Sequence, residues 1–137
     1  MANPTEKIAV LGAGTMGAGI AQVAAQAGFE TLVYDIKQEF IDAGMGKIKS
    51  FLQGSQERGK ISAEQEKKIL DRFRASTQLE DTKGSALVIE AAPEKLDLKR
   101  DIFKQLDAIC TPETLLATNT SSFNVTEIGR ASCRERV

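Results

Sequence analysis

The chain contains no histidine, although lysine and arginine together number 18 among its 137 residues. Tryptophan is also absent and aromatic residues make up only 5%, so a surface that stacks nucleic-acid bases is not expected. The formal net charge of -1 gives no electrostatic reason to bind nucleic acid or an anionic membrane. Because histidine is the commonest general acid or base near neutral pH, a mechanism that needs an imidazole must find it outside this chain.

Cysteine and long apolar runs are scarce as well. Cys110 and Cys133 form no C-x-x-C pattern and have no histidine to complete a metal site, so we expect no bound metal. We interpret them as reduced thiols, which favours a cytoplasmic location. No apolar run approaches membrane-spanning length and the N-terminus lacks a signal-peptide pattern, so no membrane partner is expected. The length and the 42% hydrophobic content suit one domain with a real core.

What the chain does have is a short apolar segment, residues 8–11, that runs directly into the pattern G-x-G-x-x-G. In such a pattern Gly12 allows a tight turn, Gly14 lets the backbone approach a pyrophosphate, and Gly17 lets the following helix pack closely. The start of that helix offers N–H groups and a partial positive charge to phosphates. A glycine-rich turn in some other α/β domain is the alternative.

A second apolar run supplies the confirming context. Residues 31–34 end in Asp35, about 20 residues after the glycines, where an acidic side chain hydrogen-bonds a ribose hydroxyl in dinucleotide-binding folds. Together, strand, glycines, helix and acid predict a dinucleotide-binding domain.

The rest of the chain alternates between strand and helix signals. We expect helices over residues 15–27, 38–56 and 96–109, and a further helix that a capping box at Ser62 and Gln65 opens. Strands are expected over residues 74–78, 86–90 and 115–118. The alternation predicts an α/β fold, a Rossmann-type doubly wound parallel sheet, with a helical hairpin inserted between two strands.

Apolar spacing also predicts which faces of these helices are buried. The residues expected to face the core are Met16, Ile20, Val23, Ala24 and Ala27 in the first helix, Ile41, Met45, Ile48 and Leu52 in the second, Ile69, Leu70 and Phe73 in the third, and Leu98, Ile102, Leu106 and Ile109 in the fourth.

Several motifs together resemble those of a known family. They are residues 12–22, 35–37 and 88–94, Lys99, and residues 119–122. On these motifs, residues 7–128 resemble the N-terminal domain of the 3-hydroxyacyl-CoA dehydrogenase family, closest to its bacterial 3-hydroxybutyryl-CoA members. The glycine motif is shared with other hydroxyacid dehydrogenases, whereas the glutamate-containing turn and the Asn-Thr-Ser-Ser loop are more specific.

The resemblance implies a reaction, a cofactor and a set of site residues. The family oxidises L-3-hydroxyacyl-CoA to 3-ketoacyl-CoA reversibly with NAD, in fatty-acid or butanoate metabolism. It implies that NAD is held by Gly12, Gly14, Thr15, Met16, Gly17, Asp35, Glu94, Lys99 and Asn119. Ser121 matches the catalytic serine that hydrogen-bonds the substrate oxygen, while Ser50 and Lys60 are candidate contacts to CoA. From spacing alone, Ser121 and Asn119 could equally be loop residues that satisfy backbone groups, and the Lys60 region could be a solvated charged face.

The family's catalytic histidine and the glutamate that orients it have no counterpart in this sequence. In the family they follow in a His-Phe-Phe-Asn-Pro segment and in a second, helical domain that closes over the substrate and dimerises. We therefore expect a domain at residues 1–128 that is incomplete at its C-terminal end and inactive alone, with a full-length homodimer. The short lead over residues 1–6 favours a stand-alone enzyme over a multifunctional one.

Residues 129–137 show no apolar period and, together with Ile128, look like a translated sequencing adapter. We interpret them as a non-native tail, the alternative being a natural basic tail. Two other functions stay open: a sugar-acid dehydrogenase with the same N-terminal motifs, and a non-catalytic dinucleotide-binding module.

Overall fold

The computed structural model describes residues 6–93 and 95–119 of the chain. Its strands are β1 (Lys7–Leu11), β2 (Glu30–Tyr34), β3 (Phe73–Ser76), β4 (Leu87–Glu90) and β5 (Leu115–Thr118). Its helices are α1 (Thr15–Gln26), α2 (Gln38–Glu57), α3 (Ala63–Asp71) and α4 (Leu96–Ile109), with a 3-10 turn at Leu79–Thr82. No helix in these two ranges is long and apolar enough to cross a membrane.

The five strands form one parallel sheet in the order β3-β2-β1-β4-β5. The chain first builds outward from β1 to β3 and then returns to the other side of β1 with β4 and β5. This reversal places a crevice outside the carboxyl ends of β1 and β4, where ligands bind in open α/β sheets. The predicted Rossmann-type fold is confirmed, and α2 and α3 form the inserted helical pair between β2 and β3.

Both faces of the sheet are covered. Ile8 and Val10 of β1 face a core layer formed with α1, α2 and α3. Ala9 and Leu11, the alternate residues of the same strand, face a second layer formed with α4. Because β1 is buried on both faces, its sequence is continuously apolar rather than alternating.

The buried face of α1 differs from the prediction. Met16 and Val23 are 60% and 66% exposed, and Ala27 is exposed as well. The buried residues are all small: Gly17, Ala18, Ala21, Ala24 and Ala25. The helix lies so close to the sheet that its innermost positions hold only hydrogen and methyl side chains, and Met16 and Val23 point away. Ala24 is buried as predicted, and Ile20 is half-buried and packs against the core.

The boundaries of β3 also differ from the prediction. The strand begins at Phe73 rather than at residue 74 and ends at Ser76, two residues before the predicted end. Phe73, expected on α3, is a buried strand residue, because the helix ends at Asp71 and Arg72 caps it. In α4, Ile102 and Leu106 are buried as expected, and Lys99 and Phe103 join them.

Candidate dinucleotide-binding site

A cleft of about 1000 Å³ opens at the carboxyl ends of the strands. Four of its lining residues mark the ends of β1, β2, β4 and β5, namely Leu11, Tyr34, Ala91 and Asn119. Residues of α2 and α4 form its sides. Its size and its position at the crossover between β1 and β4 are those of a cofactor site in a doubly wound fold.

The three glycines of the G-x-G-x-x-G pattern meet different constraints. Gly12 and Gly14 line the cleft, whereas Gly17 is buried in α1 outside its lining. Gly12 has φ of 105°, and a Cβ placed on it would lie 2.6 Å from the carbonyl oxygen of Ala91. A Cβ on Gly17 would collide with the carbonyl oxygen of Gly12, whereas one on Gly14 would meet no atom within 4 Å. Gly12 and Gly17 are therefore required by the fold itself, while Gly14 leaves open space where the backbone faces the cleft.

Within residues 6–93 and 95–119, no side chain caps the N–H groups of the first turn of α1. Its N-cap residue is Gly14, which makes no side-chain capping bond, and the turn contains no acidic residue. In contrast, α3 has a complete capping box, in which the hydroxyl of Ser62 accepts from the backbone N–H of Gln65. The start of α1 thus presents uncapped N–H groups and the positive end of the helix dipole to an anion.

Asp35 lies directly after β2, at the rim of the same cleft. Its Oδ2 accepts the backbone N–H of Ala13 at 2.9 Å and its Oδ1 accepts that of Ile36 at 2.7 Å. Each carboxylate oxygen keeps a second lone pair, so the side chain can also accept from a ribose diol. Burial, with Asp35 and Glu80 nearby, raises the pKa of Tyr34, whose phenol therefore stays neutral beside the cleft at ordinary pH.

Beneath the cleft lies a buried ion pair between β4 and α4. The ammonium of Lys99 is 2.9 Å from Oε1 and 2.7 Å from Oε2 of Glu90, and both side chains are fully buried. Oε2 also accepts the backbone N–H of Ala92 at 2.7 Å, and Oε1 accepts the hydroxyl of Thr118 at 2.5 Å. The pair therefore joins the ends of β4 and β5 to α4 and fixes the turn that forms one wall of the cleft.

This arrangement bears on the implied contact of Lys99 with the dinucleotide. Lys99 lies under the cleft rather than in its lining, so a direct contact would require the buried pair to open. Its role as a cofactor contact stays a prediction.

The structure brings several of the other sequence-derived candidates together. Gly12, Gly14, Thr15, Met16 and Asn119 line the cleft beside Asp35. Ser50 and Lys60 are exposed and lie outside that lining. Glu94, Ser121 and residues 129–137 lie outside the described residues, so their assignments stay predictions.

Sequence reasoning missed two features of the site. The buried pair had a signal, because Glu90 is the one charged residue in an otherwise apolar strand and a buried carboxylate needs a partner. Lys47 of α2, which also lines the cleft, had no distinguishing signal among the many charged residues of its helix.

An open glycine turn, an uncapped helix start and a strand-end carboxylate define a dinucleotide-binding domain, and these residues fit the pyrophosphate and ribose of NAD. The family described as "3-hydroxyacyl-CoA dehydrogenase, NAD binding domain" matches residues 7–137, and the chain belongs to this family.

Similar proteins bear related names. A "Probable 3-hydroxybutyryl-CoA dehydrogenase" of Deinococcus radiodurans is 48% identical over 128 residues, which are 93% of this chain and 46% of that protein. A crystal structure of a 3-hydroxybutyryl-CoA dehydrogenase from Escherichia coli has a TM-score of 0.88 at 43% identity and covers 91% of this chain and 26% of that chain. Mycobacterium tuberculosis FadB2 has a TM-score of 0.92 at 34% identity, covering 96% and 47% respectively. The chain thus spans less than half the length of these relatives.

Proposed function

We propose that this chain supplies the NAD-binding part of a dehydrogenase that interconverts L-3-hydroxyacyl-CoA and 3-ketoacyl-CoA. The observation that carries the proposal is the open approach to Gly14 at the uncapped start of α1, with the Asp35 carboxylate beside the same turn, where it accepts the N–H of Ala13. When bound, NAD supplies the hydride acceptor of the oxidation.

The chain's own residues would bind and orient that cofactor. The uncapped N–H groups of α1 would hold the pyrophosphate, and Asp35 would hold the adenosine ribose while staying anchored to Ala13 and Ile36. The wall formed by Ala91 and Ala92, which the buried pair keeps in place, would limit where the nicotinamide end can lie. The hydroxyl proton of the substrate must be taken up by a base, and we propose that this base lies outside this histidine-free chain.

The acyl-CoA substrate is supported by relatives rather than by the cleft. Proteins named for 3-hydroxybutyryl-CoA and 3-hydroxyadipyl-CoA are 48% and 44% identical to this chain. One observation favours a second candidate, a keto substrate without CoA: a structure titled for a diketoreductase acting on dicarbonyl compounds has a TM-score of 0.86 at 31% identity.

The test is a chimera in which residues 1–119 replace the corresponding part of the Deinococcus radiodurans relative. We expect NADH-dependent reduction of acetoacetyl-CoA, measured as the loss of NADH absorbance. Its rate should be within about tenfold of the parent, which corresponds to a change of about 1.4 kcal/mol in the activation free energy. The same chimera carrying Asp35→Ala, and the parent enzyme, serve as controls.

A chimera that folds and binds NADH but leaves acetoacetyl-CoA unchanged would contradict the acyl-CoA assignment. Activity on a dicarbonyl compound without CoA, with none on acetoacetyl-CoA, would favour the second candidate.

Two further assignments belong to the proposal. We propose a cytoplasmic location, in keeping with the buried thiol of Cys110, although some relatives are named glyoxysomal or peroxisomal. We also propose that the complete protein is a homodimer, as the family resemblance implies.

A further inference from the structure

One stripe of α2 faces the cleft. Phe40, Ala43 and Lys47 all line it, at the spacing that places side chains on one face of a helix. The next residue after Ala43 lets the helix come close, because a Cβ on Gly44 would lie 2.5 Å from the carbonyl oxygen of Ala13. The helix therefore rests directly on the glycine-rich turn, and its stripe is held at a fixed distance from the start of α1.

Lys47 lies at the end of this stripe nearest to α1. Its Nζ donates to the hydroxyl of Thr15, the first residue of α1, at 3.2 Å. Among residues 6–93 and 95–119, Lys47 has no carboxylate partner, and it is the only lysine or arginine in the cleft lining. Lys37, also on this side, is 3.9 Å from a carboxylate oxygen of Glu39 and lies over the ring of Phe40.

We propose that Lys47 is a further cofactor-binding residue, whose ammonium pairs with the pyrophosphate of the dinucleotide at the start of α1. The inference rests on the assignment of the cleft to NAD. The glycine turn offers only neutral N–H donors, and hydrogen bonds from a cation to a phosphate are about twice as strong as neutral ones. The exposed side chain has a flexible four-carbon stem, so its ammonium can turn from Thr15 to a phosphate oxygen without moving the helix.

The test is a fluorescence titration of the 137-residue chain with NADH. We expect Lys47→Gln to weaken NADH binding by about tenfold or more, because the charge-assisted hydrogen bond to the phosphate is lost. Lys47→Arg should keep most of the affinity. Lys49→Gln is the matched control, because it removes the same charge from an exposed position of the same helix outside the cleft lining, and it should change binding less than about twofold.

Competition experiments locate the effect on the cofactor. Adenosine and ADP are added to the NADH-bound chain, and Lys47→Gln should weaken ADP while leaving adenosine unchanged. The affinity of the Gln variant should also fall less steeply with salt concentration, because one phosphate contact is missing.

Equal losses of NADH affinity in the Lys47→Gln and Lys49→Gln variants would overturn the proposal, since the effect would then come from the net charge of the chain. Equal losses of affinity for adenosine and ADP would overturn it too, because the substitution would then act on the shape of the adenosine pocket rather than on a phosphate contact. If the unmodified chain binds no NADH although circular dichroism shows it folded, the assignment of the cleft to NAD fails as well, and the two failures are thereby distinguished.

Discussion

Removing the ammonium of Lys99 should destabilise the protein more than any other single loss of charge among its described residues. In Lys99→Met the stem of the side chain is largely kept, but the fully buried carboxylate of Glu90 retains, within the described part of the chain, only the N–H of Ala92 and the hydroxyl of Thr118. At an effective dielectric constant of ~20, the attraction in the intact pair is about 6 kcal/mol, most of which the desolvation of the two ions offsets. Breaking such a pair from one side costs about 3–5 kcal/mol, a large part of the ~5–15 kcal/mol that holds a domain together.

The assay is urea unfolding of the purified chain, followed by circular dichroism. Lys104→Met is the control, because Lys104 is exposed on the same helix and its loss should change the free energy of unfolding by less than about 0.5 kcal/mol. The double variant Glu90→Gln, Lys99→Met should recover part of the loss, since no uncompensated charge is then buried.

A loss below about 1 kcal/mol in Lys99→Met, or a double variant that is no more stable than Lys99→Met, would refute the reasoning. Either result would mean that removing Lys99 does not leave an uncompensated buried charge on Glu90.

The remaining predictions concern the cofactor turn, the ribose site, turnover and the tail. Gly14→Ala should leave the free energy of unfolding within about 1 kcal/mol yet abolish measurable NADH binding, whereas Gly17→Ala should lower stability in urea unfolding because its Cβ collides with Gly12. Asp35→Asn should weaken NADH binding and reduce the preference for NADH over NADPH in parallel titrations, since it removes the charge that repels a 2′-phosphate. If the unmodified chain bound NADH and NADPH with equal affinity, this role of Asp35 would be contradicted. The 137-residue chain should show no hydroxyacyl-CoA oxidation above background, and turnover within tenfold of a full-length relative would contradict this. Deleting residues 129–137 should change stability by less than about 0.5 kcal/mol in urea unfolding, and a loss of a few kcal/mol would show that they are native structure.

The fold could be predicted because its signals are local. A capping box marks the start of α3, Gly28 follows α1, and β1 runs into a turn that only glycine can make, with φ of 105° at Gly12. Each of these features constrains the backbone within a few residues of itself, so one-dimensional patterns are enough to place them.

The misjudged parts depend on distances across the molecule. The buried face of α1 is set by how closely the helix lies on β1, so Met16 and Val23, which were expected inside, point away, and small residues take the innermost positions. The partner of Glu90 lies nine residues away along the chain, and Thr118 lies 28 residues away. No periodicity indicates which cation reaches which carboxylate, so the pair and the placement of Lys47 required the three-dimensional structure.

The cleft is assembled from the ends of four strands that come from distant parts of the chain. No single hairpin or helix carries it, so it exists only when these four strands are paired, and the unfolded chain has no comparable affinity for the cofactor. Occupancy of the cleft is therefore linked thermodynamically to global folding: at a hundredfold excess over its dissociation constant, a bound dinucleotide adds about 2.7 kcal/mol to stability. In a cell, the level of the cofactor would help to determine how much of this domain is folded, and hence how long it survives proteolysis.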